Sequence, residues 1–514
     1  MALHSNYQWI RVALLTCMLM AVPSSSFFLA QYLTKQIVTG EHTQAQLDFA
    51  LKQNNEAALL YAWQQTKKPS RSWLLLAKKL AKTHSEAAYQ LALFYQTRHS
   101  MTQAVTWYQQ AIRLKYPPAF VALAQLYFEQ DNLLQADEVL AILPKGYTES
   151  TAIAVQALKI NLALNRGHIN VVRQSVAEFG KSFESNPQGR LLLAQINKYQ
   201  VLSVKANNSQ IPACNNSIQL FATSFSHLQR LEYLIKGVEQ YALNQYVCFS
   251  PVRYIAINAL ACTAESTQAI QCNEQHWQHL AERTNTRFVG ALLPQGGANV
   301  HFGALYIDAN DDIDVFVHEI SHLLGFVDEY PLAKAHGACA GIQQQAFSEN
   351  IAVLANTYQG NRADIRAKVL QQLAWGKQIK KSTPILQLIK GHSLLVQQWK
   401  LGTPKQFEHE IGVFNAQTCA NSSNDTLSEE SRFKAYKPLV KPTKMQFFSL
   451  DFPKEYASFL QKESFEFLMP SFHYNIALAQ FQQGNLEQAK YWLKQAAMWE
   501  SEQGRREKIL QGNF

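Results

Sequence analysis

The 514-residue sequence lacks several features that mark common classes of protein. No Cys-x-x-Cys pair occurs anywhere, so the sequence does not predict a cysteine-rich structural zinc site. The formal net charge is +9, but the basic clusters at residues 377–381 and 437–444 contain no interleaved aromatic residues and no nucleic-acid-binding motif. They predict solvated surfaces, and no nucleic-acid partner is expected.

Positive charge is absent from residues 301–333, which contain no lysine or arginine. The acidic residues of this stretch are Asp308, Asp311, Asp312, Asp314, Glu319, Asp328 and Glu329. A divalent cation would relieve this local negative charge. Asp311, Asp312 and Asp314 are also suited to cap a helix, which we favour over a second metal site. A calcium loop is not predicted, because Ile313 stands where an EF-hand requires glycine.

Cysteine is absent from both repeat-like ends of the chain, apart from Cys17 near the N-terminus. The other six cysteines are Cys214, Cys248, Cys262, Cys272, Cys339 and Cys419. Their even number suits three disulfides in an oxidising compartment, with free buried thiols as the alternative. Proximity favours Cys262 with Cys272, and we also favour Cys339 with Cys419, although six cysteines allow ~15 connectivities.

A long uninterrupted apolar run is also missing at the N-terminus. Residues 12–22 form a short apolar core after Arg11, and residues 23–26 interrupt it before residues 27–30. This pattern predicts either a cleaved signal peptide or an uncleaved membrane anchor within residues 1–30. Both would export the rest of the chain. The expected location is the bacterial periplasm or cell envelope, with inner-membrane attachment if the segment is an anchor.

Residues 315–330 set metal-binding and proton-transfer groups at helical spacing inside an apolar segment. His318 and His322 lie four residues apart, so on a helix of ~3.6 residues per turn both imidazoles can reach one metal ion. Glu319 lies beside the first histidine, where it can hold a water on the metal and take its proton. The alternative is a hydrogen-bonded histidine pair at the edge of a core.

Gly325 follows His322 by three residues and is suited to end the helix in a left-handed turn. The chain can then fold back and present Asp328 to the metal. Three protein ligands and one water are the open coordination of a catalytic zinc, whereas a structural zinc is closed by four protein ligands. The sequence therefore predicts Zn²⁺ held by His318, His322 and Asp328, with Glu319 as the catalytic base.

The His-Glu-x-x-His-x-x-Gly-x-x-Asp spacing resembles the metzincin zinc metallopeptidases, in the variant where aspartate is the third ligand, as in snapalysin-like enzymes. The Asp-Glu-Tyr at residues 328–330 is similar to that of bacterial IgA-peptidase-like enzymes. The resemblance implies an α+β peptidase domain with a small mixed sheet and an active-site helix. It also implies a methionine turn near the metal, for which Met445 and Met469 are the candidates and Met445 is favoured.

Upstream segments have the lengths of strands and helices. Residues 287–293 and 300–307 are apolar runs that predict two neighbouring strands, and residues 252–260 predict another. Residues 225–246 and 273–283 predict helices. This order is compatible with a mixed sheet that leads into the metal-binding helix.

The two ends of the chain carry a repeated pattern. Residues 87–95 match residues 119–127, and residues 485–489 match residues 132–136. The alanine and tryptophan spacing also recurs, in Ala104, Trp107 and Ala111 and again in Ala489, Trp492 and Ala496. The pattern resembles tetratricopeptide-like helical hairpins, in which such aromatic residues pack between helices. An ordinary helical bundle is the alternative.

We therefore expect a leader at residues 1–30, a helical repeat domain at 44–205, a zinc metallopeptidase domain at 208–468 and a C-terminal helical hairpin at 471–510. The predicted protein is an exported zinc-dependent endopeptidase that cleaves polypeptide substrates and binds a protein partner through its repeats. The alternative is a non-catalytic envelope scaffold that uses the repeats and keeps a degenerate or structural metal site.

Overall fold

The computed structural model describes residues 27–203, 214–263, 265, 268–281, 283–332, 339, 346–389, 397–420, 433–461 and 466–513. The fold is α+β, with helical repeats at the N-terminal end and a mixed sheet in the second half. Most of the predicted leader lies outside the described residues. No helix within the described ranges has the length and apolar character needed to cross a membrane.

Short turns connect the helices of the N-terminal half, and most of these helices begin at a polar cap. They are α1 (residues 27–39), α2 (Gln44–Lys52), α3 (Glu56–Gln65), α4 (Arg71–Leu80), α5 (Ser85–Gln96), α6 (Met101–Arg113), α7 (Pro117–Glu129), α8 (Leu133–Ala141), α9 (Glu149–Asn165), α10 (Ile169–Ser185) and α11 (Pro187–Lys198). Thr43, Asn55 and Ser70 cap α2, α3 and α4 by accepting a backbone N–H.

The matching segments of the sequence repeat form α5 and α7, and each is followed by a second helix that packs against it. Equivalent positions are buried in both copies, as in Ala87 and Ala119, Leu91 and Leu123, and Ala92 and Ala124. Alanine at these positions lets paired helices approach closely. The helical-hairpin repeats predicted from the sequence are therefore present in this half of the chain.

A six-stranded sheet occupies the second half, in the order β2-β1-β4-β6-β5 with β3 also paired to β1. Its strands are β1 (Ser217–Ala222), β2 (Cys248–Phe249), β3 (Arg253–Tyr254), β4 (Phe288–Leu293), β5 (Asn299–His301) and β6 (Ala304–Asp308). All pairs are parallel except β5 with β6. Every residue of β1, β4 and β6 is buried, as expected of parallel strands covered on both faces.

Three of the predicted elements differ in detail. The predicted strand 300–307 is two antiparallel strands, because Phe302 and Gly303 form a turn with φ of 38° and 82°. The predicted strand at 252–260 is confined to β3, since the chain then enters the 3₁₀ turn Ile257–Ala259. The predicted helix 225–246 ends at Val238, where α12 (Phe225–Val238) stops.

The second half of the chain also contains helices. In addition to α12, they are α13 (Gln278–Ala281), α14 (Ile313–Leu323), α15 (Arg362–Gln371), α16 (Lys454–Phe459), α17 (Phe472–Gln482), α18 (Leu486–Ala497) and α19 (Gln503–Leu510). Between α14 and α16 lie two small three-stranded sheets, built from β7 (Ala352–Ala355), β8 (Thr357–Gln359), β9 (Leu386–Leu388), β10 (Gln398–Leu401), β11 (Phe414–Asn415) and β12 (Phe433–Lys437).

The C-terminal hairpin α17–α18 shares one hydrophobic core with the large sheet. Phe472, Ile476 and Trp492 pack in the same cluster as Val289 and Tyr306 of the strands. A buried ion network joins the same two parts: Arg287 bonds Glu500 at 2.6 Å and also donates to the carbonyl of Met469. The hairpin is therefore a layer of this unit.

The chain divides into two compact units, one of residues 1–162 and 181–189 and the other of residues 163–180 and 190–514. The predicted boundary at residues 205–208 differs from this division. The last repeat helices belong with the sheet, because the Tyr254 hydroxyl donates to the Leu164 carbonyl at 2.7 Å and the Tyr254 N–H donates to the Tyr199 carbonyl at 3.0 Å.

Three disulfides brace the second unit: Cys214–Cys248, Cys262–Cys272 and Cys339–Cys419. Two of these are the pairs favoured from the sequence. The first unit, as described from residue 27, contains no cysteine. Covalent bracing is thus restricted to the unit that contains the sheet and α14.

Candidate functional site

The helix α14 begins and ends as its sequence predicts. Asp312 caps its N-terminus by accepting the N–H groups of Asp314 and Val315. Gly325 ends it with φ of 91°, and the two hydrogen bonds of a Schellman motif run from Gly325 to the His322 carbonyl and from Phe326 to the Ser321 carbonyl. This turn reverses the chain and brings Asp328 back towards the helix.

The predicted ligands meet at one point. His318 Nε2 and His322 Nε2 are 3.1 Å apart, and Asp328 Oδ1 lies 3.1 Å from the first and 3.3 Å from the second. Zinc bonds of ~2.0–2.1 Å would place ligand atoms ~3.3 Å apart in tetrahedral coordination. The spacing of the three donor atoms therefore fits a single zinc ion.

The second ring nitrogen of each histidine is bound to a backbone carbonyl. His318 Nδ1 lies 2.9 Å from the Lys444 carbonyl, and His322 Nδ1 lies 2.9 Å from the Phe326 carbonyl. A carbonyl only accepts, so each Nδ1 carries a proton and each Nε2 is the nitrogen that faces the cluster. Such outer hydrogen bonds fix the tautomer and ring orientation of histidines that bind metals.

The charge balance of the cluster also favours a cation. Asp328 Oδ1 is buried beside the two Nε2 atoms and close to the carboxylate of Glu319. Burial alone would lower the pKa of His322. The carboxylates of Asp328 and Glu319 outweigh burial and raise this pKa to about 9. The two histidines in turn overcome the effect of burial and lower the pKa of Asp328. A divalent cation would displace the extra proton of His322 and balance the two carboxylates.

Glu319 lies beside the donors and is almost fully buried, with 5 % of its surface exposed. One of its carboxylate oxygens lies within 4.8 Å of the metal-binding atoms of His318 and His322. Burial raises the pKa of Glu319, which suits a group that takes up a proton and releases it again. His318 is closed off from solvent, while the side chains of His322 and Asp328 are 15 % and 17 % exposed, so the cluster is open on one side.

Of the two methionine candidates, Met445 is the one in a segment bonded to His318 and Glu329. The carbonyl of Lys444 accepts from His318, and the carbonyl of Met445 accepts from the N–H of Glu329 at 2.9 Å. The Met445 side chain is fully buried. Met469 instead bonds the Leu323 carbonyl at the end of α14.

Glu329 is buried and anchors the chain next to Asp328. It accepts from Lys437 Nζ at 2.7 Å, from Asn350 Nδ2 at 3.2 Å and from the Tyr456 hydroxyl. The prediction that residues 437–444 form a solvated basic surface is wrong for Lys437, which is 4 % exposed, because this ion pair is internal.

The same prediction is wrong for Lys444. This lysine is fully buried and its Nζ lies 2.7 Å from Asp314 Oδ1 in the first turn of α14. The two lysines thus attach residues 437–445 to both ends of the segment that contains the candidate ligands, one through Asp314 and the other through Glu329. Neither role is visible in a local sequence pattern.

Aromatic side chains lie against His318 of the cluster. The Phe448 ring packs edge-on against His318 with centroids 4.6 Å apart and is 41 % exposed. Phe447 is 54 % exposed, and the Tyr330 ring stacks at 6.5 Å from His318. Burial and the neighbouring Asp328 raise the pKa of Tyr330, so its hydroxyl stays protonated. Phe448 was not predicted from the sequence, since no spacing rule connects it to the helix.

Comparison with known proteins bears mainly on the helical parts. A family model described as a tetratricopeptide repeat matches residues 470–503, which cover α17 and α18. No curated protein matches the chain. Among solved structures, LpoA of Haemophilus influenzae in a monoclinic form is similar at 11 % identity with a TM-score of 0.15. The alignment covers 55 % of this chain and 58 % of that chain. The chain thus contains a tetratricopeptide repeat within an α+β fold.

Proposed function

We propose that the protein is a zinc-dependent endopeptidase. The observation that carries the proposal is the convergence of His318 Nε2, His322 Nε2 and Asp328 Oδ1 to 3.1–3.3 Å, beside a buried glutamate. Three nitrogen and oxygen donors that leave one side open are the donor set of catalytic zinc, which would supply Lewis-acid polarisation of a substrate carbonyl.

The roles of the protein's own groups follow from their positions. His318, His322 and Asp328 would hold the ion. Glu319 takes a proton from the attacking water and passes it to the leaving amine, which requires a carboxylate whose pKa is raised by burial. The exposed Phe448, whose ring packs against His318, offers an apolar surface beside the cluster, where an apolar substrate side chain can pack.

The test is Glu319→Gln in the full chain. This change removes the base and leaves all three donors, so we expect zinc content to be retained and turnover of a diverse peptide library to fall by ~10²–10⁴-fold. Glu408→Gln, at an exposed glutamate in the same unit, is the matched control and should leave turnover unchanged. Full activity of the Glu319 variant would contradict the mechanism.

A second function is a non-catalytic scaffold of the cell envelope that works through its repeats. The tetratricopeptide match at residues 470–503 supports this alternative and does not bear on catalysis. Stoichiometric zinc would fit both functions. Cleavage of peptides that is lost in Glu319→Gln separates them, because a scaffold with a structural ion would show no cleavage in either protein.

Both functions include a protein partner at the helical repeats and export from the cytoplasm. Tetratricopeptide-like hairpins stack into extended surfaces that commonly bind other proteins. The three disulfides support an oxidising compartment such as the periplasm. The attachment of the N-terminal segment to the inner membrane stays a prediction from the sequence.

A further inference from the structure

Six cations lie on and beside α4 without compensating negative charge. They are Lys67, Lys68, Arg71, Lys78, Lys79 and Lys82, and all are exposed. No aspartate or glutamate occurs between Glu56 and Glu86. Within the described residues these cations contact neutral groups, as when Lys68 bonds Gln90 and Lys79 bonds Asn54. By contrast, Lys198 pairs with Glu232 at 2.6 Å.

Helix stability accounts for only part of this charge. Lys78 and Lys79 lie in the last turn of α4, where cations interact favourably with the helix dipole. Arg71 occupies the first position of the helix, and Lys67 and Lys68 precede it, where the same dipole opposes positive charge. The first turn contains no acidic residue. The cations near the N-terminus of α4 therefore destabilise the helix locally, and the fold does not require them at these positions.

The exposed face of α4 arranges these charges in a stripe. Arg71, Leu75 and Lys78 follow the i, i+4, i+7 spacing that places side chains on one face of a helix, and Lys82 lies in the turn two residues after α4 ends. The opposite face buries Trp73, Ala77 and Leu80 in the repeat core. Leu75, in the middle of the stripe, is 57 % exposed. Ten helical residues make the stripe ~15 Å long.

We propose that this stripe binds an acidic segment of a partner polypeptide, with an apolar side chain of that segment seated on Leu75. An apolar centre inside a charged rim is the arrangement of protein–protein contacts. The ~15 Å length matches about five residues of extended chain at ~3.3 Å each. Nucleic acid fits less well, because the nearby Trp73 is buried and offers no ring for base stacking.

Lys78 of the stripe and Lys68 beside it also contact aromatic rings before a partner binds. Lys78 Nζ lies 5.9 Å from the centre of the Tyr95 ring, and Lys68 Nζ lies 5.4 Å from that of Trp73. Such cation–π contacts restrict the long side chains, so less conformational entropy is lost on binding. The proposal rests on the proposed partner-binding role of the repeats and is independent of the proposed peptidase chemistry.

The test uses the full chain in the Glu319→Gln background, so that the probe is not cleaved. The probe is a fluorescent peptide of about nine residues in which leucine follows every two glutamates, and binding is followed by anisotropy at low salt. Neutralising Arg71, Lys78 and Lys82 together to glutamine should weaken binding about tenfold, since exposed charge pairs each contribute modestly and tenfold is ~1.4 kcal/mol. The matched control neutralises the exposed Lys377, Lys381 and Lys400 and should bind as the parent protein does.

A further variant tests the apolar centre, because Leu75→Ser should weaken binding of the leucine-containing peptide and leave an all-glutamate peptide unaffected. If the stripe variant and the control variant lost peptide binding equally, the proposal would be overturned, because the peptide would then be attracted by the overall charge of the protein. Unchanged binding in the stripe variant would also overturn it. If the protein bound phosphatidylglycerol vesicles through the stripe and did not bind the peptide, the ligand would be a lipid surface and the proposed polypeptide ligand would be rejected. All substitutions are at exposed positions, and unchanged melting temperatures would verify the fold.

Discussion

The candidate metal site depends on which atom of each side chain faces its neighbours. The Nδ1 atoms of His318 and His322 donate hydrogen bonds to backbone carbonyls, so their Nε2 atoms face Asp328. We expect Asp328→Ala to lower zinc affinity by at least ~100-fold, because loss of a ligand exceeds the 10–100-fold cost of losing an outer partner. The measurement is the zinc content of the variant after gel filtration, determined by mass spectrometry. The control is Asp451→Ala, at an exposed aspartate. Parental zinc content in Asp328→Ala would assign the third ligand to another residue.

Glu274 is a buried carboxyl away from the metal site, and it makes stability depend on pH. Its side chain is 14 % exposed, Oε2 has no hydrogen-bond donor, and burial raises the pKa of Glu274 from 4.5 to about 7. The stabilising contribution of protonated Glu274 to the free energy of unfolding is fully present below pH ~4.5. This contribution is lost as pH rises through about 7. Glu274→Gln should therefore melt at the same temperature as the parent near pH 4.5 and gain roughly 1–3 kcal/mol at pH 8. Equal melting temperatures of the two proteins at pH 8 would contradict this prediction.

Sequence spacing predicted the residues of the site that lie within one helix and its following turn. His318, Glu319 and His322 are linked by helical periodicity, and Asp328 by the glycine turn. Lys437 and Lys444 could not be predicted, because their partners Glu329 and Asp314 lie 108 and 130 residues away in sequence. A basic cluster has the same local pattern whether it is solvated or paired inside the protein.

At the scale of elements, the end of α14 controls the position of Asp328. A Cβ added to Gly325 would lie 2.5 Å from the Phe467 carbonyl oxygen, in addition to the strain of φ at 91°. We expect Gly325→Ala to destabilise the protein by roughly 2–4 kcal/mol and to weaken zinc binding. Gly484 is a matched control, because its φ is 79° and a Cβ there would meet nothing within 4 Å.

Gly484→Ala should cost only the backbone strain of ~1 kcal/mol and leave zinc binding unchanged. Urea unfolding and zinc titration of both variants separate the two contributions. Equal effects on zinc binding would show that the Phe467 contact does not position Asp328. The sequence predicted the glycine turn itself, whereas the backbone of Phe467 against it is a long-range contact that no local pattern reports.

The edge of the sheet shows a similar limit. The apolar run 300–307 has the length of one strand, but the turn at Phe302 and Gly303 divides it into β5 and β6. Gly303 approaches the C-terminal hairpin closely, since a Cβ there would lie 2.6 Å from the Pro470 carbonyl oxygen. A tertiary contact therefore determines where the strand ends, which hydrophobic periodicity alone does not encode.

At the scale of the whole molecule, the helical hairpin that matches the tetratricopeptide family is packed against the sheet. Its inner residues Phe472 and Ile476 are fully buried there, so they are unavailable to a partner. The sequence predicted the hairpin but not its place in the sheet unit, because a repeat motif specifies which residues pack and not which surface they pack against. Partner binding is accordingly proposed for the N-terminal helices.

The three disulfides all lie in the second unit, so reduction should affect the two units differently. Each closed loop restricts the unfolded chain and contributes roughly 2–4 kcal/mol. We expect a reductant to increase amide hydrogen exchange across residues 214–513 at concentrations that leave residues 27–162 unchanged, as followed by mass spectrometry. Faster exchange in the N-terminal helices first would contradict this assignment of the bracing.

In protein isolated from its own host, non-reduced alkylation should find Cys214–Cys248, Cys262–Cys272 and Cys339–Cys419 oxidised. Six free thiols would refute both the bracing and the oxidising compartment, because a cytoplasmic pool keeps such cysteines reduced.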